Sequence, residues 1–190
     1  MSLPAGASVA AMIDNSNRVF RFARQVLAVA SLGLLSGCID SAQPLLGNAR
    51  PLLGERLNLQ LYAMRKNSVY DPATANFVWQ NGHYARTGGT DTSLHDFTVH
   101  PLRGSDLIAQ EIPSGAPVNY AILRKLAEGT YLVFVIDEDD ASAATRKKFC
   151  RNTRMSGCTV TTRQAVLAFA RASAAKRPSV GGLVLLLSEQ

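Results

Sequence analysis

The chain has 190 residues, 47% of them hydrophobic, three cysteines and a formal net charge of +6. That length suits one domain with its own core and is short for two. The charge is too mild to argue for a nucleic-acid partner.

The first informative stretch is residues 26–38, VLAVASLGLLSGC. Arg18, Arg21 and Arg24 precede an apolar run, and the small residues Ser36 and Gly37 lead into Cys38. A positive flank, an apolar core and small residues are the three parts of an export signal. The run is shorter than the roughly 20 residues that span a bilayer. Leu35-Ser36-Gly37-Cys38 resembles the lipobox of bacterial lipoproteins. The resemblance implies that residues 1–37 are a signal peptide, removed after a diacylglyceryl group joins the Cys38 thiol, and that the new amino group is acylated (a palmitate-type modification). Residues 1–11 carry no charged side chain, and Met12 opens a better-proportioned signal, so Met12 is the expected start. Without Arg18, Arg21, Arg24 and Asp14 the remainder holds 17 basic and 13 acidic side chains, a net +4.

Residues 38–54 read as the lipidated cysteine and a tether. Pro44-Leu45-Leu46-Gly47 recurs as Pro51-Leu52-Leu53-Gly54; proline and glycine so close together argue against a helix, and one repeat makes no solenoid. Its leucines are able to dock on the domain that follows, which spans residues 55–190.

From Leu57 the hydrophobic period is two, which predicts a half-buried strand over residues 57–64. Further strands are expected over residues 77–84, with Asn81-Gly82 as a bend or bulge inside, over 94–100, stopped by Pro101, and over 106–112, 118–126 and 131–136. Turn signals about every ten residues mark an antiparallel meander or small barrel. Residues 131–136 are apolar on both faces and should be covered on both sides.

The pattern then becomes helical. Asp137 to Asp140 precede residues 141–149, whose end carries Arg146, Lys147 and Lys148, an arrangement suited to a helix dipole. Thr161 and Gln164 have capping-box spacing before an apolar helical pattern at Val166, Phe169 and Ala170, ending ahead of Pro178. A last strand, apolar on both faces, is expected over residues 183–187. The fold class expected is α+β: an antiparallel meander or small open barrel of about seven or eight strands with two helices in the second half.

With Cys38 assigned to the lipobox, Cys150 and Cys158 form an even pair in an oxidising compartment, and a disulfide is expected. Their spacing lacks the close pairing of zinc or thioredoxin motifs, so no metal is expected. The segment from Cys158 to Gln164, behind a strand meander and a lipobox, is similar to small envelope lipoproteins of Gram-negative bacteria; the resemblance carries no activity.

Other candidates weigh less. The acids at 137–140 are consecutive rather than spaced as calcium ligands, so helix capping is the ordinary reading. His95 and His100 would point to opposite faces of a strand, and His83 stands apart. Tyr62, Trp79, Tyr84 and Tyr120 offer either a glycan platform or core packing. Arg146, Lys147, Lys148, Arg151 and Arg154 form a basic cluster able to meet anionic headgroups or acidic envelope polymers. With no catalytic motif and no cofactor signature, the expected function is a non-catalytic envelope lipoprotein displaying a small binding or scaffolding domain in the periplasm. The alternative is a proteinaceous inhibitor of an envelope enzyme such as a lysozyme-type hydrolase. Its partners would be the membrane through Cys38 and another envelope protein or polymer, with no nucleic acid. Ile39, rather than aspartate, follows the lipid site, which favours the outer membrane, facing the periplasm.

Overall fold

The computed structural model describes residues 39–65, 68–69, 72–91, 94–112, 117–151, 157–176 and 180–187. The strands are β1 (Ile39–Ser41), β2 (Arg56–Arg65), β3 (Ser68–Val69), β4 (Ala73–Gln80), β5 (His83–Gly89), β6 (Asp96–Arg103), β7 (Asp106–Ile112), β8 (Val118–Ala127), β9 (Thr130–Val135), β10 (Cys158–Thr159) and β11 (Val180–Leu187). Between β9 and β11 lie a 3₁₀ turn (Glu138–Asp140), α1 (Ala143–Phe149) and α2 (Arg163–Ala175).

Eight strands close into an antiparallel barrel in the order β2-β4-β5-β6-β7-β8-β9-β11, with β11 bonded to both β9 and β2. The mixed α and β content and barrel form match the sequence expectation; the barrel is closed, where an open one was allowed. Closure rests on β11, which returns after the helical segment and slots between the first and last strands of the meander. The weakest seam is β5 to β6, where a single residue pair, Tyr84 with Phe97, is in ladder register. Side chains reinforce it: the Arg86 N–H donates to Asp96 Oδ1 at 3.0 Å, and His83 Nε2 lies 3.3 Å from Asp96 Oδ2.

Two strand boundaries depart from expectation. Residues 77–84 are two strands, because Asn81 and Gly82 both have positive φ, 51° and 82°. Two such residues make the tight hairpin turn whose twist matches the flanking strands. Pro101 sits inside β6 instead of ending it: it pairs with Leu107, and the register slips between Pro101 and Arg103, where a missing N–H is tolerated. Gly89 is also required by geometry, since a Cβ there would lie 2.2 Å from the Thr74 carbonyl oxygen.

Strand alternation builds two cores from the same strands. Leu57, Leu59, Leu61, Phe77, Tyr84, Ala121, Leu123, Tyr131 and Val133 fill the barrel. Ile108, Tyr120, Ile122 and Phe134 point outward into a second core under α2. As expected, β9 is covered on both faces, by Tyr131 and Val133 inside and Phe134 outside. Helix α2 presents Ala165, Val166, Phe169, Ala170 and Ser173 to this outer core. Full burial of Val166 and Phe169 contributes about 1.5–3 kcal/mol each. The N-cap of α2 is Thr162, whose Oγ1 accepts from Ala165 N–H at 3.2 Å; with the cap one residue later than Thr161, Gln164 is not at the capping-box position. At its other end Arg124, forked onto Asp106 at 2.8 Å through both bonds, donates to the Ala174 carbonyl at 3.0 Å. The run 137–140 is a separate 3₁₀ turn rather than the first turn of α1, with Asp137 Oδ1 accepting from Asp139 N–H, while Ser142 caps α1.

Residues 39–54 lie on the barrel. Ile39 is fully buried, and β1 pairs with the start of β8 and, in parallel, with β10. The two Pro-Leu-Leu-Gly segments serve different cores. Leu46 enters the outer one, and the N–H groups of Leu45 and Leu46 both donate to Gln110 Oε1, at 2.8 and 2.9 Å. Leu53 packs on the barrel interior, where its N–H donates to the Tyr84 hydroxyl at 2.9 Å and that hydroxyl donates to the Gly54 carbonyl at 3.0 Å. Burial pushes the Tyr84 pKa up to about 12, so this link stays protonated.

Gln110 Nε2 in turn donates to Thr98 Oγ1 at 3.2 Å, and Thr98 meets His100 Nε2 at 3.0 Å. Burial, and then the nearby Arg163 charge, lower the His100 pKa below the usual 6.5. Between the lowered folded value and 6.5 the unfolded chain binds more protons, so this contribution is fully present above about pH 6.5 and is lost as pH falls below it. Melting temperatures of wild type and His100→Gln at pH 7.5 and 5.5 check this. The wild type is expected to lose more stability on acidification than the variant; equal losses would remove His100 as the cause.

Candidate functional site

The barrel holds a cavity of about 80 Å³ that is partly open to solvent. Ala109 on β7 leaves room that a larger inward side chain would fill, and Leu123 on β8 lines the same space. Leu59, Leu61, Val133 and Val184 line it from β2, β9 and β11, and Gly182 adds a position without a side chain. An eight-stranded barrel is just wide enough either to be filled by its side chains or to hold one small ligand. The small Ala109 and Gly182 among the lining residues favour the second outcome.

The lining is apolar except at one corner. Glu111 falls on the inward face of β7 with Leu107 and Ala109, and it is only 6% exposed. Continuing the register that pairs Gln110 with Tyr120 brings Glu111 opposite Asn119 on β8, and Asn119 Nδ2 donates to Glu111 Oε2 at 2.8 Å. The other oxygen, Oε1, lies 4.0 Å from His95 Nε2. The His95 side chain is 40% exposed and also lines the cavity, so the corner runs from solvent at His95 inward to the carboxylate. A buried carboxylate is costly unless hydrogen-bonded and paired, and Glu111 accepts one side-chain bond and has an imidazole just beyond contact distance. A carboxylate at the edge of an apolar cavity is equipped to hold a donor or a cation attached to an apolar group.

The structure distributes the sequence-predicted residues over several places. Cys38 and Arg154 lie outside the described residues. Cys150 and Cys158 are bonded to each other. They are eight apart in sequence, a closure whose loop entropy is worth roughly 2.6 kcal/mol. Glu138 lies close to both sulfurs, but the disulfide occupies both thiols, so this trio offers no thiolate ligands. Burial raises the Glu138 pKa, neighbouring Asp139 adding to the effect. Of the basic cluster, Arg146 is ion-paired with Asp139, Lys148 lies over the Phe149 ring at 5.0 Å, and Lys147 and Arg151 are exposed. Lys176 sits 3.5 Å from Asp140. The acids of the 3₁₀ turn therefore interleave with the bases, and the surface is mixed in sign although the sequence run is purely basic.

The aromatic residues form no single platform. Trp79 and Tyr84 meet edge to face at 4.9 Å, while Tyr84 and Tyr120 belong to different cores. His95 and His100 do point to opposite sides: His95 lines the interior, and His100 is buried outside among Thr98, Gln110 and Arg163. Sequence reasoning singled out His95 but missed its neighbours in this corner, Glu111 and Asn119. The available signal was Glu111 falling on the Leu107 and Ala109 face of a strand whose other face is also apolar.

No family model, curated protein or solved structure matches this chain. Among the described residues, no helix is long and apolar enough to cross a membrane.

Proposed function

We propose that this protein is a lipid-anchored envelope protein whose barrel binds a small apolar group. The observation that carries this reading is the apolar cavity inside a closed barrel. An apolar occupant of matching shape removes this carbon-lined surface from water and gains close contacts with it. An engineered cavity of about 150 Å³ holds benzene, so this smaller one suits a short alkyl segment or the tip of a longer chain. The runner-up, inhibition of an envelope enzyme, would call for a rigid loop projecting to plug a foreign active site, and no observation favours it.

The lipobox supports anchoring at Cys38 and export to the periplasm, with the outer membrane favoured by isoleucine at the next position. The burial of Ile39 in β1 adds a consequence: hardly any free chain would separate the lipid from the sheet, so the barrel would ride close to the bilayer. Two or more acyl chains would make that attachment stable. The disulfide suits the same oxidising compartment.

Two measurements test these proposals. Methyl NMR of the protein titrated with n-pentane is expected to shift Leu59, Leu61, Leu123 and Val133, and not Leu126, whose side chain is 56% exposed. Filling the space with Ala109→Leu is expected to weaken binding at least about tenfold, or roughly 1.4 kcal/mol. Shifts confined to exposed leucines would refute interior binding. For the anchor, mass spectrometry of the membrane-extracted protein is expected to find an acylated N-terminal Cys38; an unmodified Cys38 would refute it.

A further inference from the structure

We infer that the occupant of the barrel is an alkyl chain carrying a protonated amine, with the Glu111 carboxylate as its counter-charge. This rests on the reading of the cavity as a binding site and adds the chemistry of the head group.

The inference stands on position. Glu111 is 6% exposed at the edge of a cavity whose other lining side chains are apolar apart from His95, Tyr62 and Tyr131. One carboxylate oxygen is bound by Asn119 at 2.8 Å, an amide that also fixes the carboxylate's orientation. The other, Oε1, has His95 Nε2 at 4.0 Å as its described ion-pair neighbour, too far for a hydrogen bond. Among the described residues Oε1 accepts no hydrogen bond, which makes it the acceptor offered to a ligand. An ammonium supplies up to three donors and a full positive charge on a compact head. In a low-dielectric surround such a pair is much stronger than in water, whereas a second carboxylate would be repelled and a hydroxyl would add one donor and no charge. The alkyl chain would then run from Glu111 past Ala109 toward Leu123 and Val133. His95, 40% exposed, marks the side from which the head remains in reach of solvent.

The test compares three probes of one chain length, hexylamine, 1-hexanol and hexanoate, by isothermal titration at pH 8, where a primary amine of pKa about 10.4 is protonated. The full chain is used with Cys38→Ser to keep it free of lipid. The amine is expected to bind at least about tenfold tighter than the alcohol, with hexanoate weakest. Glu111→Gln, close in shape, is expected to bring amine and alcohol to equal affinity while keeping the pentane-induced methyl shifts. Equal binding of amine and alcohol by the parent chain overturns the head-group inference and leaves the apolar reading standing. Loss of all binding, pentane included, overturns both. Retention of the amine preference in Glu111→Gln excludes Glu111 as the counter-charge. Should that variant not fold, the ratio in the parent chain decides, together with contacts in NMR between the methylene next to nitrogen and the Asn119 amide protons.

Discussion

The structure depends on the seam made by β11. Its residues pair in one direction with β2, from Gly182 against Ala63 to Leu187 against Asn58, and in the other with β9, from Val180 to Leu185. Without that strand β2 and β9 would be open edges, and their unpaired backbone groups would invite foreign strands. Closure also turns one face of a sheet into an interior: Leu59, Leu61, Val133 and Val184 face one another only because β11 stands between β2 and β9.

The insertion that delays β11 has a second role. Helix α2 packs over the outer side of β6 and β8, with Phe149, Cys158 and Val160 joining the same core, so these strands bury side chains on both faces. A polar relay runs through this layer. His100, Thr98 and Gln110 link β6 and β7 and end on the backbone N–H groups of Leu45 and Leu46. The segment nearest the proposed anchor is thereby tied to the barrel, and the disulfide holds β10, the partner of β1, to the end of α1. A binding cavity so fixed relative to residue 39 would also be fixed relative to the membrane.

Much of this was legible in local pattern. The alternation from Leu57 marks β2, the apolar run at 131–136 marks a strand covered twice, and the two helices and the cysteine bond were expected where they occur. What escaped is what long-range pairing decides. The short β1 and β10 are too brief for periodicity and exist through pairing, β1 with β8 and β10 with β1. Inside the expected strand 77–84 Asn81-Gly82 reads as a bend or bulge, although the dipeptide is a strong hairpin signal and its two positive φ values separate β4 from β5. Adjacent threonines left the cap of α2 ambiguous by one position, resolved by the bond from Ala165 to Thr162. The site itself was hidden because a lone glutamate in a strand reads as a solvent-facing residue. Barrel closure is what makes its face an interior.

The most direct measurement is crystallographic: crystals held under xenon, which enters dry apolar cavities. Xenon density is expected inside the barrel, beside Ala109, Leu123 and Val133 and beneath Glu111, and it should vanish in Ala109→Leu crystals. A barrel already filled by its own side chains, with no xenon in the interior, would contradict the binding cavity on which the proposed function rests.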